Sequence, residues 1–329
     1  MCMDFILSHH IALSLLAGFF LDCLIGDPHC FVHPVRIMGF LITFLEKRLN
    51  WPSDSEKVQK IKGLFLVFTV ISFSFLIPAS LLFLLRLVNP YIFFIAESIM
   101  CYQCIAARSL CSESMKVYHA LKKADINEAR KALSMIVGRD TNILDKKGIA
   151  KAAVETIAEN ASDGVVAPIF FMAIFGATGG MVYKAINTMD SMIAYKNERF
   201  KNFGFFVAKF DDFANFLPAR LCALLMIIST AILYLFPTKK KFSPLNAVKI
   251  FIRDRYKHAS PNSAQTESVA AGALGIQLAG DTVYGGITEK KDFIGEKKCE
   301  IEDTDIIRTN ILMYITTILC VTFSVMIRI

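Results

Sequence analysis

The sequence predicts an all-α fold: a polytopic membrane helical bundle with amphipathic and soluble helices in its long loops. Three observations predict it. Residues of the AVILMFWYC set make up 54% of the 329, above the soluble norm of roughly 45–50% that already counts glycine. Twenty-eight residues are phenylalanine. The apolar residues are gathered into runs, and charges recur on short spacings between those runs. Charges at bilayer depth are costly and mark a site or a water-filled cavity.

The chain reads as one integral-membrane domain, 1–329, with membrane segments at 11–25, 64–85, 91–107, 165–182, 217–236 and 306–327. Ile11–Ile25 has no basic start and no small-residue cleavage pattern after it, so it reads as a retained segment. It stops at Gly26-Asp27-Pro28. Two histidines follow, His29 and His33, bracketed by Pro28 and Pro34, which bias the chain away from helix. A turn carrying Asp27, His33 and Arg36 to a membrane mouth is therefore expected in place of a zinc site. Ile37–Leu49 reads as an amphipathic helix with Phe40, Leu41, Phe44 and Leu45 on one side and Glu46, Lys47 and Arg48 exposed. Leu64–Leu85 meets the ~20 residues that a bilayer core requires. Asn89-Pro90 then turns the chain into Tyr91–Ala107, which carries Glu97 facing protein. Ser112–Val137 is amphipathic and soluble in character.

The stretch 138–220 reads as the catalytic core. Ile149–Ser162 is expected to be helical. Glu155 and Glu159 are four apart and Asp163 follows four later, so the three share a face. The bland alternative is a solvated acidic stripe in which Lys151 pairs with Glu155. Asp163-Gly164 passes straight into an apolar run, however, and a like-charge trio at a membrane surface calls for a cation. Gly176-Ala177-Thr178-Gly179-Gly180, followed by Lys184, lacks the Walker spacing. It reads as close helix packing or a broken membrane helix, which leaves 165–182 to cross or to re-enter. Asn187, Asp190 and Ser191 share a helical face, with Lys184 aligned on Asn187. Asp211, Asn215 and Arg220 form a second polar face.

Residues 237–305 read as a cytoplasmic loop region, opened by Lys239-Lys240-Lys241. Ser260-Pro261-Asn262 is a turn that presents polar groups and Glu267. Lys290–Asp305 reads as a charged surface loop. The formal charge of +7 suits loops lying on anionic lipid or handling anionic substrates. Nucleic acid is excluded as a partner, because no face or tail concentrates the lysines. Nine cysteines are scattered, and the one Cys-x-x-Cys pair, Cys101 and Cys104, falls inside an apolar helix pattern as core residues.

Four polar strings, in order, carry a family resemblance. The first is Leu21-Asp22…Gly26-Asp27-Pro28…His33-Pro34-Val35-Arg36. The second is Gly138-Arg139-Asp140-Thr141 with Val154-Glu155-Thr156…Glu159-Asn160…Ser162-Asp163-Gly164. The third is Tyr183-Lys184…Asn187-Thr188…Asp190-Ser191-Met192 with Asn197-Glu198-Arg199. The fourth is Lys257-His258…Ser260-Pro261-Asn262…Glu267. Together they resemble the integral-membrane adenosylcobinamide-phosphate synthases of cobalamin biosynthesis, with departures at Phe205 and Ala264-Gln265-Thr266. The resemblance implies that adenosylcobyric acid is joined to aminopropanol phosphate or ethanolamine phosphate, with ATP and Mg²⁺ as co-substrate and activating ion.

The resemblance further implies Glu155, Glu159 and Asp163 for Mg²⁺, and Arg139, Lys184 and Arg220, with Asn160 and Asn262, for cofactor phosphates. Asp190, Asn187, Asp211 and His33 form the implied catalytic set. Expected partners are the bilayer and other membrane enzymes of nucleotide-loop assembly. The rival readings are a transporter of an anionic metabolite, weakened because no internal repeat is evident, and a non-catalytic scaffold, which leaves the shared polar faces unexplained.

Because 64–85 and 91–107 form a hairpin, the polar segments before and after it share a side. Their flanking lysines and arginines make that side the cytoplasm. Single cysteines at 147 and 201, in a cysteine-free background, are expected to react with an impermeant maleimide only when the inner face is exposed. Labelling of the cysteine at 201 from outside intact cells would refute the shared side.

Overall fold

The computed structural model describes residues 6–27, 33–195, 197–236 and 242–329. The turn bearing His29 and the basic cluster Lys239-Lys240-Lys241 lie outside the described residues. In chain order the helices are α1 (His10–Ile25), α2 (Pro34–Leu49), α3 (Glu56–Val88), α4 (Pro90–Cys104), α5 (Ala107–Lys122), α6 (Ile126–Ser134) and α7 (Lys146–Asn160). A π-helical turn (Ala161–Val166) leads into α8 (Ala167–Ile193), followed by α9 (Phe205–Ala214), α10 (Phe216–Leu235), α11 (Pro244–Asp254) and α12 (Ser263–Leu274). Four short strands precede the last helix, α13 (Thr304–Arg328): β1 (Gln277–Ala279), β2 (Thr282–Tyr284), β3 (Ile287–Glu289) and β4 (Phe293–Gly295). β1 pairs antiparallel with β4, and β2 with β3.

Among the described residues, five helical stretches are long and apolar enough to cross a membrane: Glu56–Val88, Pro90–Lys122, Lys146–Ile193, Phe216–Leu235 and Thr304–Arg328. The protein is thus an all-α, multi-pass membrane protein. α1 is apolar but shorter. The chain forms two compact units, one of Met1–Ala106, Ala167–Asn215 and Val321–Ile329, the other of Ala107–Val166 and Phe216–Cys320. The stretch 138–220 is shared between them.

In the first unit, α1 packs on α4, and α3 and α4 on α8. Glu97 is buried here and is met by His10 Nδ1 at 2.7 Å and by the Ser14 hydroxyl at 3.0 Å. A carboxylate in a membrane helix needs such partners, since an unmet charge at the bilayer centre costs at least ~2.5–3.5 kcal/mol. α8 is interrupted at Gly176, whose φ of 67° and ψ of −167° are non-helical. Glycine alone adopts that conformation without strain. A β-carbon at Gly176 would also stand 3.2 Å from Glu97 Oε1. The break frees carbonyls of the preceding turn, and Arg328 donates to two of them, Ala173 O and Ile174 O. A cation at a helix C-terminus also matches the helix dipole.

One sequence expectation is corrected in this unit. Glu46 is buried, not exposed, and accepts two donors from Arg199 at 2.9 to 3.1 Å, while Phe40 and Phe44 are exposed. The sided reading assumed water outside α2. The two-pronged pairing with Arg199 holds the carboxylate on the protein side of α2, where it is hydrogen-bonded while buried.

The second unit is built on α12. Every residue from Ala264 to Leu274 is buried, and α12 packs against α7, α10 and α11. Small residues permit this. A β-carbon on Gly272 would come within 2.6 Å of Asn246 O and 2.7 Å of Ala247 Cα on α11. The Asn246 side chain in turn donates to Gly272 O at 2.6 Å. Asp254, fully buried at the end of α11, accepts from Arg253 Nε at 2.7 Å and from the Gly295 amide at 2.8 Å, tying β4 to α11. Lys257 Nζ stands 2.9 Å from Oδ1, the oxygen that Arg253 Nε also meets.

Burial opposes the charge on Asp254, but Arg253, the Gly295 amide and Lys257 outweigh it and hold the carboxyl well below the ordinary carboxylate range. Such a group gives stability that is complete above the ordinary carboxylate value and is lost as pH falls through its lowered value. The acid limb of thermal stability is therefore expected to be shallower in Asp254→Asn than in the wild type, measured on solubilised protein from neutral pH downward. Parallel acid limbs would show that this anchor contributes nothing.

Candidate active site

Glu155, on α7, is 3% exposed and spends both oxygens. Oε2 accepts from Arg139 Nη1 at 2.6 Å, and Oε1 accepts the Ala279 amide at 2.7 Å. One side chain thereby fixes the loop before α7 and the end of β1. Next to Arg139, the Asp140 amide donates to Val283 O at 2.9 Å, and its Oδ2 accepts the Gly286 amide at 2.7 Å. The β2–β3 hairpin is pinned there, which places Tyr284. Lys291 Nζ donates to the Tyr284 hydroxyl at 3.2 Å.

These elements enclose a cavity of about 100 Å³ lined by Arg139, Glu155, Glu159, His258, Ser263, Glu267, Ala279, Thr282, Tyr284 and Lys291. His258 Nδ1 lies 3.2 Å from Ser263 Oγ and 3.6 Å from Glu267 Oε1. Among the described residues, Glu267 Oε2 and His258 Nε2 are buried with no hydrogen-bond partner. Burial, reinforced by Glu155 and Glu159, pushes the Glu267 carboxyl well up from its ordinary value. Burial, reinforced by Lys291, holds the His258 imidazole below its ordinary value. Arg139 and Lys291 are pushed the other way, because Glu155 and Tyr284 respectively outweigh the cost of burying them. The cavity thus holds fixed cations beside carboxylates that cannot all ionise cheaply.

The expected site residues fall as follows. Arg139, Glu155 and Glu159 line the cavity. Asp163 does not, because helical hydrogen bonding widens to the π pattern at Ala161–Val166 and the i, i+4 face is lost there. Asp163 lies near Cys222 of α10. Among the described residues, no group of three His, Cys, Asp or Glu side chains is placed to hold a metal ion. Asn160 donates to Thr156 O at 3.0 Å, within its own helix. Arg220 donates to Phe216 O at 2.6 Å and to Asn262 Oδ1 at 3.3 Å, and its guanidinium stacks 3.6 Å over Phe216.

His33, Lys184, Asn187, Asp190 and Asp211 belong to the other unit. His33 caps α2 by accepting the Val35 amide at 3.3 Å. Burial, with Lys184 and Arg36, holds its imidazole down against the pull of Asp27. Asp211 accepts from Asn215 at 3.0 Å, and Asn215 accepts from Tyr183 at 2.7 Å.

A model of the family described as CobD/Cbib protein matches residues 15–313. The chain is 43% identical over 316 residues to the cobalamin biosynthesis protein CobD of Clostridium perfringens, covering 96% of this chain and 98% of that one. It is 39% identical over 308 residues to the cobalamin biosynthesis protein CbiB of Salmonella typhimurium, covering 94% of each. This chain belongs to the CobD/CbiB family. No solved structure matches it. In this CobD/CbiB protein a role in cobalamin biosynthesis therefore rests on near full-length relatives.

Sequence reasoning did not assign His258, Ser263, Glu267, Thr282, Tyr284 or Lys291 to the site. His258 and Glu267 stood in the fourth string and carried a signal. Lys291 did not: Lys290–Asp305 was expected to be a surface loop, yet it supplies β4 and a cavity wall. Lys151, the partner that the solvated-stripe alternative gave Glu155, lies 5.4 Å from the Phe293 ring centre.

Glu155→Ala is expected to lower stability by about 3–5 kcal/mol, because it strands a largely buried Arg139. Pairing Glu155→Leu with Arg139→Met should recover only part of that, since the Ala279 amide stays unmet. Thermal unfolding of solubilised protein reads both. A single variant as stable as the wild type would remove Glu155 as the organiser of the cavity.

Proposed function

We propose that this CobD/CbiB protein is an ATP-dependent amide ligase. It joins a propionate carboxyl of adenosylcobyric acid to the amine of (R)-1-amino-2-propanol O-phosphate, or of ethanolamine phosphate, to give adenosylcobinamide phosphate or its ethanolamine counterpart. The supporting observation is that two strings far apart in the chain converge. Arg139, Glu155 and Glu159 of the second and His258 and Glu267 of the fourth line one buried cavity of mixed charge.

A carboxylate does not condense with an amine unaided. In the proposed reaction a carboxylate oxygen attacks the γ-phosphorus of ATP and ADP leaves. The ammonium gives up one proton, the free amine nitrogen attacks the acyl carbon, phosphate leaves, and a second proton is lost from nitrogen. Cations near the phosphoryl oxygens stabilise the charge that develops there. Arg139 and Lys291 at the cavity suit that task, with Arg220 of the same unit as a further candidate.

Mg²⁺, when bound with the nucleotide, would neutralise phosphate charge. Glu155, Glu159 and Asp163 do not fit as its resident ligands, because Glu155 has committed both oxygens and Asp163 lies off the cavity. ATP and the basic flanks support a site facing the cytoplasm.

Mass spectrometry of adenosylcobyric acid incubated with purified protein, ATP, Mg²⁺ and each amine tests the reading. The amide and ADP are expected only when all components are present. Absence of product with both amines, or product formed without ATP, rejects it.

A further inference from the structure

We infer that Glu267 and His258 form a binding site for a primary ammonium group, the amine end of the phosphorylated amino alcohol. The site's preference for ammonium comes from its own geometry. Only the identity of the amine rests on the ligase reading.

Both residues line one small space, and among the described residues each keeps one buried polar atom without a hydrogen-bond partner. Glu267 is 4% exposed, and its Oε2 has no partner. In the tautomer with the proton on Nδ1, His258 donates to Ser263 Oγ at 3.2 Å, while Glu267 Oε1 stands 3.6 Å away, beyond hydrogen-bond reach. That leaves Nε2, also buried and unpartnered, as a lone-pair acceptor. Leaving such groups unmet is costly, so the natural occupant brings donors and no competing acceptor. A primary ammonium brings three N–H groups and a positive charge, which offsets the crowding of Glu267 by Glu155 and Glu159. A hydroxyl brings one hydrogen and no charge.

Size and charge narrow the choice further. The cavity, about 100 Å³, is small and polar and has room for the C–C–N end of an amino alcohol. A divalent ion is disfavoured, because Arg139 and Lys291 share the cavity and no three-ligand set is present among the described residues. The cavity thus offers carboxylates to the ammonium and cations to phosphoryl oxygens.

The test is calorimetric titration of full-length purified protein with ethanolamine phosphate, (R)-1-amino-2-propanol phosphate and ethylene glycol phosphate, the last having hydroxyl in place of amine. Each is titrated with and without adenosylcobyric acid and a non-hydrolysable ATP analogue. At least one amine should bind ten times or more tightly than the hydroxyl compound. Glu267→Gln and His258→Ala should each weaken the amine by about ten- to a hundredfold. Equal binding of amine and hydroxyl compounds to the wild type, no binding of either, or an unchanged amine Kd in Glu267→Gln overturns the site. The wild-type comparison stands even if a variant misfolds. The product assay separates the two readings. Product from a protein that shows no ammonium preference defeats this site alone, whereas ammonium-selective binding without product defeats the ligase alone.

Discussion

The second unit depends on one carboxylate with two obligations. Glu155 neutralises Arg139 and accepts the amide of Ala279. Ala279 has a left-handed φ of 59°, which for a residue other than glycine costs on the order of 1–3 kcal/mol and persists only where its surroundings impose it. Glu155 is part of what imposes it. Remove that acceptor and three things lose their reference at once: the loop at Arg139, the end of β1, and the wall that the following hairpin gives the cavity. Asp140 repeats the device one residue on, holding the hairpin through Val283 and Gly286. A run of two residues in the second string thus positions side chains that come from much later in the chain.

The first unit shows a different constraint, the need to satisfy every backbone group away from water. α8 breaks at Gly176, and Arg328 covers two of the carbonyls that the break exposes. Glu97, His10 and Ser14 form a polar knot close to the same point. A glycine cluster that resembled a phosphate loop is therefore explained by helix interruption and by close contact. Gly179 and Gly180 leave no room for a β-carbon beside Phe171 and Met172.

What could be read from the sequence followed from local periodicity. The apolar runs gave the membrane class, and the four-residue spacing of Glu155 and Glu159 gave their common face. Asp163 was misplaced because the rule of four holds only while the helix stays α, and the π turn begins at Ala161. Glu46 was misplaced because sidedness was judged against water. Glu267 joins the cavity through the packing of α12 against α7, a long-range contact that no spacing reveals. Lys291 depends on strands of three residues each, too short to announce themselves among charged neighbours.

The double duty of Glu155 also limits how the family can drift. A simple ion pair can exchange its ends over time, since arginine facing glutamate and glutamate facing arginine are electrostatically alike. This pair cannot, because a guanidinium at position 155 would meet the Ala279 amide donor to donor. Its polarity is locked by a backbone group that no substitution alters. A lineage that loses either charge has only one economical way back, the original residue, so the cavity's architecture should change more slowly than the lipid-facing helices around it.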